Sequence, residues 1–101
     1  MLVNTIQASD IEKSASQLGE SIRTWRKLLG LRAEQVAERA DISLATYSKI
    51  ENGHQGVSLA KFLAVIRALG LLQKLEDSID PYESDLGRAR ADQHLPRRVR
   101  R

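Results

Sequence analysis

The side chains best suited to contacting another molecule lie in one short stretch, residues 43 to 49. A helix that begins after Ser43 and anchors Tyr47 and Ile50 inward would present small hydroxyl, small apolar and basic groups on its outer face. Such groups let a helix approach base edges, contact thymine methyl groups and reach guanine acceptors or phosphates. By itself, a polar helix face is more often simply solvated. The candidates for reading DNA bases are Ser43, Leu44, Ala45, Thr46, Ser48 and Lys49.

Catalytic and metal chemistry find little support in the composition. The 101 residues include no cysteine, which excludes a thiol nucleophile, a thiolate zinc site and a disulfide framework. His54 and His94 are far apart and have no organising carboxylate cluster, so we predict no metal site. No arrangement of Ser, His and Asp can be argued, and a small helical core leaves little concave volume. We therefore predict a binding protein without enzymatic activity or cofactor.

The apolar pattern has helical periods throughout and no strand alternation, which predicts an all-α fold of five helices in a single small domain. The first helix ends at Gly30, and its start is open between a capping pattern at Ser9 and one at Ser14. Gly19 favours the later start. The apolar face that we expect to be buried, with Trp25 as a core residue, consists of Leu18, Ile22, Trp25 and Leu29.

Three further helices and a short fifth follow from the same signals. The second covers residues 32 to 40 and the third runs from Ser43 to the Asn52-Gly53 pair, with Ala37 at their crossing and Ile42 beneath the turn. Ser58 caps a fourth helix, which Gly70 ends. The expected inward residues of the fourth helix are Leu59, Phe62, Leu63, Ile66 and Leu69. Leu71, Leu72, Leu75 and Ile79 fit either internal packing or a two-fold dimer interface, and we favour the interface.

The net charge of +3 is unevenly distributed along the chain. Residues 16 to 75 are moderately basic, residues 76 to 85 carry five acids and no base, and residues 86 to 101 carry six arginines and one acid. A basic body with a basic end points toward a polyanion. We predict an N-terminal extension over 1–15 that is partly helical or frayed, a DNA-binding domain over 16–80, and an acidic-then-basic tail over 81–101 that is mostly disordered when free. The tail's role stays open between solubility, DNA contact and partner binding.

No apolar run is long enough to span a bilayer, and the first thirty residues contain nothing like a signal peptide. The sequence therefore predicts a cytoplasmic protein with no membrane partner.

Several blocks together resemble the XRE family of Cro and phage-repressor type regulators over about residues 17 to 72. The family's lambda-repressor-like fold places the second helix of its motif in the major groove of a palindromic operator. The resemblance thus assigns base reading to the third helix and implies a core ion pair between Arg26 and Glu51. The blocks are Ile22-Arg23-x-Trp25-Arg26, Gly30-Leu31, Glu34-Gln35-Val36-Ala37, Ile42-Ser43, Tyr47-Ser48-Lys49-Ile50-Glu51-Asn52-Gly53 and Leu59-x-x-Phe62-Leu63-x-x-Ile66-x-Ala68-Leu69-Gly70.

The chain departs from this family at the start of the second helix. Arg32-Ala33 stands where these proteins usually have Thr or Ser followed by Gln, so a capping hydroxyl and a phosphate-binding amide are missing. A backbone amide at the helix start and the Arg32 side chain can still contact a phosphate. The predicted phosphate-binding residues are Arg23, Arg32, Ala33, Asn52, Gly53 and Lys61.

A looser resemblance extends to HipB-like antitoxins, small XRE regulators made beside a HipA-like kinase toxin. It rests on chain length and on three segments, Gly70-Leu71-Leu72, Asp80-Pro81-Tyr82 and the arginine-rich end from Leu95. It implies a homodimeric repressor that controls its own operon and binds a kinase toxin. The alternative is a protein-interaction adaptor on the same fold without specific DNA binding, which the Arg32-Ala33 departure makes conceivable.

Overall fold

The computed structural model describes residues 8 to 95, and within that range it contains six α-helices, one 3₁₀ turn and no β-strand. The all-α prediction is confirmed. The elements fall into two compact units, one up to Gly70 and one from Leu71 onward. None of the described helices is long and apolar enough to cross a membrane. The helices are α1 (Ala8–Leu28), α2 (Ala33–Ala40), α3 (Leu44–Glu51), α4 (Leu59–Ala68), α5 (Leu72–Ile79) and α6 (Asp85–His94), with the 3₁₀ turn at Pro81–Glu83.

The core of the first unit forms where α2 packs against α3 and α4, while α1 packs against α3. Val36, Tyr47 and Val65 are fully buried, so the centre of the core is supplied by one side chain from each of α2, α3 and α4. Small side chains on α2 allow the close crossing expected at Ala37. The remaining buried apolar residues are Ile22, Ala37, Ala40, Ile50, Ile66 and Leu69.

Helix α1 starts earlier than Gly19 indicated, because it runs without interruption from Ala8. Gly19 lies in its interior and is buried against the end of α3. A Cβ at Gly19 would stand 2.4 Å from the carbonyl oxygen of Glu51 and 2.6 Å from that of Ile50. The glycine is therefore a point of close backbone approach between two helices rather than a helix-start signal. Residues 1 to 7 of the predicted N-terminal extension lie outside the described part of the chain.

The predicted buried face of α1 is largely wrong, and Trp25 is not a core residue. Ile22 is buried, but the exposed fractions are 53% for Leu18, 38% for Trp25 and 47% for Leu29. Gly19 follows Leu18 by about 100° around the helix, so the side that approaches α3 lies to one edge of the apolar stripe. Leu59, expected to face inward, is 69% exposed in the first turn of α4.

The second unit contains more regular structure than the disordered tail that we expected from residue 81. The side chain of Asp80 accepts a hydrogen bond from the amide of Tyr82 at 2.9 Å, and Ser84 accepts one from the amide of Gly87, also at 2.9 Å. These caps begin the 3₁₀ turn and α6. A Cβ at Gly87 would stand 2.0 Å from the carbonyl oxygen of Pro81, so α6 lies close against the turn. Residues 96 to 101, with four of the tail's arginines, lie outside the described residues.

Candidate nucleic-acid interface

A three-residue connection between α2 and α3 fixes the angle between the two helices. Asp41 adopts a left-handed conformation with φ of 57°, and its amide donates to the carbonyl of Glu38. The amide of Ile42 donates to the carbonyl of Ala37 at 3.0 Å, and the Ile42 side chain is half-buried. These bonds satisfy the last carbonyls of α2 and turn the chain immediately into α3.

Ser43 ends this connection as the N-cap of α3. Its Oγ accepts a hydrogen bond from the amide of Thr46 and donates one to Oγ1 of Thr46, both at 3.0 Å. Two of the six predicted base-reading side chains are thus engaged with each other at the start of the helix. Ser43 remains exposed and Thr46 is half-buried.

The other predicted base-reading residues share one exposed side of α3. Tyr47 and Ile50 are buried on the opposite side, as expected. The side chain of Leu44 is 46% exposed, and Asn52 joins the outer side just beyond the helix, where Nδ2 lies 3.5 Å from Oγ of Ser48. The structure therefore presents a contiguous outer face of α3, which consists of Leu44, Ala45, Ser48, Lys49 and Asn52.

A buried carboxylate holds this helix to α1. Glu51 is only 8% exposed, and Arg26 donates to it with Nε 2.7 Å from Oε2. The hydroxyl of Tyr47 donates to the same oxygen, and Nε of Arg23 donates to Oε1 at 3.2 Å. Arg26 also donates through Nη1 to the carbonyl of Leu31 at 3.3 Å, which ties the connection before α2 into the network. The Arg26–Glu51 pair implied by the resemblance is present in the structure.

The ionisation of the network follows from these contacts. Burial alone raises the pKa of Glu51, but hydrogen bonds from Arg26, Tyr47 and Arg23 outweigh burial and hold this pKa below its ordinary value. Burial and the hydrogen bond to Glu51 raise the pKa of Tyr47. The hydrogen bond to Glu51 is the largest of the effects that raise the pKa of Arg26. Glu51 therefore remains a carboxylate at neutral pH, and Tyr47 remains a neutral donor.

Three of the predicted phosphate-binding residues are engaged within the molecule. Nη2 of Arg23 donates to Oδ1 of Asn52 at 3.2 Å, so these two side chains meet beside Glu51. The amide of Gly53 donates to the carbonyl of Ile50 at 3.1 Å, and its φ of +76° suits glycine. Arg32 and Lys61 are exposed at the starts of α2 and α4, and neither forms an ion pair with another described residue.

The start of α2 lacks a capping hydroxyl, and the side chain of another residue forms a hydrogen bond there. Arg32 is the N-cap residue, but an arginine side chain has no acceptor with which to cap the helix. Instead, Oε1 of Gln35 accepts a hydrogen bond from the amide of Arg32 at 2.8 Å. The sequence analysis missed this function of Gln35, although a glutamine three residues after an N-cap is its usual signal. The half-buried Ala33 follows Arg32 in the first turn, where helix amides lack intrahelical partners.

Comparison with family models identifies one match that covers residues 17 to 78, to a model described as a helix-turn-helix domain. That span contains the α2–turn–α3 geometry and more than half of the chain. The chain belongs to this helix-turn-helix family. No curated protein and no solved structure matches it significantly.

Membership accounts for the arrangement of the helix-turn-helix domain. In such domains the second helix of the motif enters the major groove, and this is α3 in the present chain. The helix-turn-helix domain is one that suggests DNA binding. Among the described residues, no group of three or more potential metal ligands comes together.

Proposed function

We propose that this helix-turn-helix protein is a sequence-specific transcriptional repressor that reads double-stranded DNA with the outer face of α3. The observation that carries the proposal is the exposure of Ala45, Ser48 and Lys49 along one side of a helix whose opposite side is locked into the core. Small side chains at two of these positions allow close approach to base edges, and Lys49 supplies a donor for guanine or phosphate.

The Glu51 network supports this proposal because it prevents α3 from shifting on the domain. Base readout requires side chains held at hydrogen-bond distances from base edges, so the supporting helix must keep one orientation. Hydrogen bonds from Arg26, Arg23 and Tyr47 converge on the carboxylate at the last residue of α3. A rotation of α3 would break the bonds from Arg26 and Arg23, which belong to α1, in an environment where an unpaired charge is costly.

The α2 end of the motif supplies the contacts to phosphates. Arg32 is exposed beside the first-turn amides of α2, which carry the partial positive charge of a helix start. Lys61 offers a second exposed cation in the first turn of α4. We assign Arg32, Ala33 and Lys61 to phosphate contact. Arg23 and Asn52 can join them only through the parts of their side chains that are not engaged with each other, and the amide of Gly53 is already bonded.

The proposed operator is an inverted repeat bound by two copies of the chain, with half-sites about 34 Å apart. The sequence analysis favoured α5 as the dimer interface, and this stays a prediction. Leu71, Leu72 and Leu75 are half-buried in the described chain, whereas Ile79 is 75% exposed. The antitoxin role beside a HipA-like kinase toxin rests on the HipB-like resemblance of the sequence and is likewise proposed.

Gel-shift titration tests the proposal with DNA from upstream of the gene and a scrambled duplex of the same composition, at several salt concentrations. The upstream DNA should bind more tightly than the scrambled duplex. Lys49→Ala should remove most of this preference, while Arg32→Ala should weaken both duplexes alike and flatten the salt dependence. Lys74→Ala, which removes the same charge from α5, is the matched control. Equal affinity for both duplexes would contradict the repressor proposal.

The second candidate function is an adaptor that binds proteins and has lost specific DNA recognition. The observation that favours it is the Arg32-Ala33 start of α2, where Gln35 is engaged in capping. In this case the same titration would show weak binding without sequence preference, and Lys49→Ala and Arg32→Ala would have equal effects.

A further inference from the structure

Helix α1 carries an apolar stripe that the rest of the first unit leaves exposed. The exposed fractions are 53% for Ile11, 53% for Leu18, 38% for Trp25 and 71% for Leu28. These residues extend along about 26 Å of helix at 1.5 Å per residue. Residues 9 to 14 are all exposed, so they add no buried side chain to the core of the first unit. An exposed apolar stripe of this length marks a surface that another chain can cover.

The stripe lies within a broad uncharged side of the helix. At 100° per residue, the residues from 11 to 29 that face this side are uncharged, and most of them are apolar or small. Charged side chains fall on the other side, where some of them join the Glu51 network and the rest face water. Asp10 is the one charged residue of the described α1 on the side of the stripe, at the N-terminal end. The charged residues on the other side are Glu12, Lys13, Glu20, Arg23, Arg26 and Lys27. A solvated helix face normally carries charge, so the absence of charge over five turns is typical of a helix–helix interface.

The spacing on this side is that of a heptad repeat, with one series of large apolar residues and one series that contains two serines. Ile11, Leu18 and Trp25 recur every seven residues, and a second series follows three residues behind them, with Ser14, Ser21 and Leu28. Paired in parallel, two such helices would oppose serine to serine and tryptophan to tryptophan. Paired antiparallel, one register opposes every serine to a large apolar side chain.

This antiparallel register pairs α1 with α1 of a second copy of the chain. It sets Leu18 against Ser21 of the second copy, Trp25 against Ser14, and Ile11 against Leu28, and each contact occurs twice because the pairing is its own two-fold inverse. Small residues opposite large ones allow the helices to interdigitate without cavities. We propose that α1 binds α1 of a second copy of this chain in an antiparallel pair and that this contact forms the homodimer.

This inference deepens the proposed function, since that function requires two copies on one operator, and it places their contact on α1 instead of α5. The uncovered apolar surface is greater on α1. On α5 only Ile79 of the four predicted interface residues is classed as exposed. The α1 pairing can be measured without DNA, so its failure and the failure of DNA reading are distinguishable.

Sedimentation equilibrium of the full chain at micromolar concentration tests the pairing. The wild type should have twice the 11.3 kDa mass of one chain. Leu18→Glu and Leu28→Glu would each place an unpaired charge in the interface and should weaken dimerisation at least tenfold, with the helical circular dichroism retained because both side chains are exposed in one chain. Leu86→Glu, an equally exposed leucine on α6, should leave the mass unchanged.

Disulfide cross-linking tests the register. Because the sequence has no cysteine, only the introduced cysteines can form a disulfide. The variant with both Ile11→Cys and Leu28→Cys should form a covalent dimer on mild oxidation. The two positions are about 26 Å apart in one helix, so a disulfide within one chain is excluded. Each single variant should stay uncross-linked, because neither position meets itself across the two-fold axis.

Three results would overturn the proposal. The first is a wild-type chain that sediments as a monomer. The second is a dimer that Ile79→Glu dissociates while Leu18→Glu does not, which would assign the interface to α5. The third is cross-linking of the single-cysteine variants, which would indicate parallel pairing. In each of these cases the gel-shift difference between upstream and scrambled DNA would still report on DNA reading.

Discussion

Arg26 and Glu51, 25 residues apart in the sequence, join α1 to the last residue of α3 through an ion pair in which Nε lies 2.7 Å from Oε2. The carboxylate is 8% exposed and the guanidinium side chain 15% exposed. Tyr47 and Arg23 also donate hydrogen bonds to this carboxylate. Because the pair joins α1 to the helix that we propose reads DNA, its integrity bears on stability and, under that proposal, on recognition.

Loss of either partner of this pair is expected to destabilise the fold substantially. Glu51→Gln leaves Arg26 buried without a counter-charge and should lower the free energy of unfolding by about 3 kcal/mol. Urea denaturation followed by circular dichroism measures this. Glu38→Gln, at an exposed position on α2, is the matched control and should change stability by less than about 0.5 kcal/mol. Equal midpoints for the two variants would show that the ion pair contributes nothing.

The same carboxylate predicts a pH dependence of stability. The pKa of Glu51 is lower in the folded chain than its ordinary value of 4.5, so its contribution is fully present above about pH 4.5 and is lost as pH falls through the folded-state pKa. The stability difference between wild type and Glu51→Gln should therefore shrink between neutral pH and about pH 3. Urea midpoints across this range, with Glu38→Gln measured in parallel, test it. A difference that stays constant with pH would contradict the assignment to Glu51.

Gly19 is expected to be intolerant of any side chain. Helix propensity alone would favour Gly19→Ala by about 1 kcal/mol, but its Cβ would stand 2.4 Å from a backbone oxygen of α3. We expect a net loss of about 2 kcal/mol as α1 and α3 are pushed apart. Gly30→Ala provides the contrast, because nothing lies within 4 Å of its Cβ and only the φ of +72° opposes substitution, at about 1 kcal/mol. A stabilised Gly19→Ala variant in thermal unfolding would refute the close approach.

Ser43 has a structural function that must be separated from base reading. Ser43→Ala removes the cap of α3 and should cost about 1 kcal/mol, whereas Ser43→Asn keeps an acceptor at the N-cap and should retain most of the stability. Thermal unfolding gives the stabilities, and gel shifts at a temperature where both variants are folded give the DNA preference. If Ser43→Asn loses the preference while it retains stability, Ser43 also contacts bases. If it keeps the preference, the function of Ser43 is capping.

The sequence predicted local features well wherever a local rule applied. Caps at Ser43 and Ser58, ends near Gly30 and Gly70, and the burial of Tyr47 and Ile50 follow from signals within a few residues. The predictions failed where contact with a second helix decides which side chains are buried. Periodicity placed Leu18 and Trp25 on one apolar face of α1 but did not show which face would pack against α3. Gly19 was interpreted as a sign of a later helix start, because only its contact with α3 explains a glycine there.

The sequence by itself determined an all-helical chain, the α2–turn–α3 motif and the outward position of Ala45, Ser48 and Lys49 on α3, because helix periods, caps and turns depend on neighbours in the chain. The Arg26–Glu51 pair was predicted only from the family resemblance of the sequence. Tertiary structure alone decided that Arg23 and Asn52 meet beside Glu51 and that one side of α1 stays exposed. The physical reason is that each of these depends on the packing angle between helices, which the close approach at Gly19 sets and no local pattern encodes.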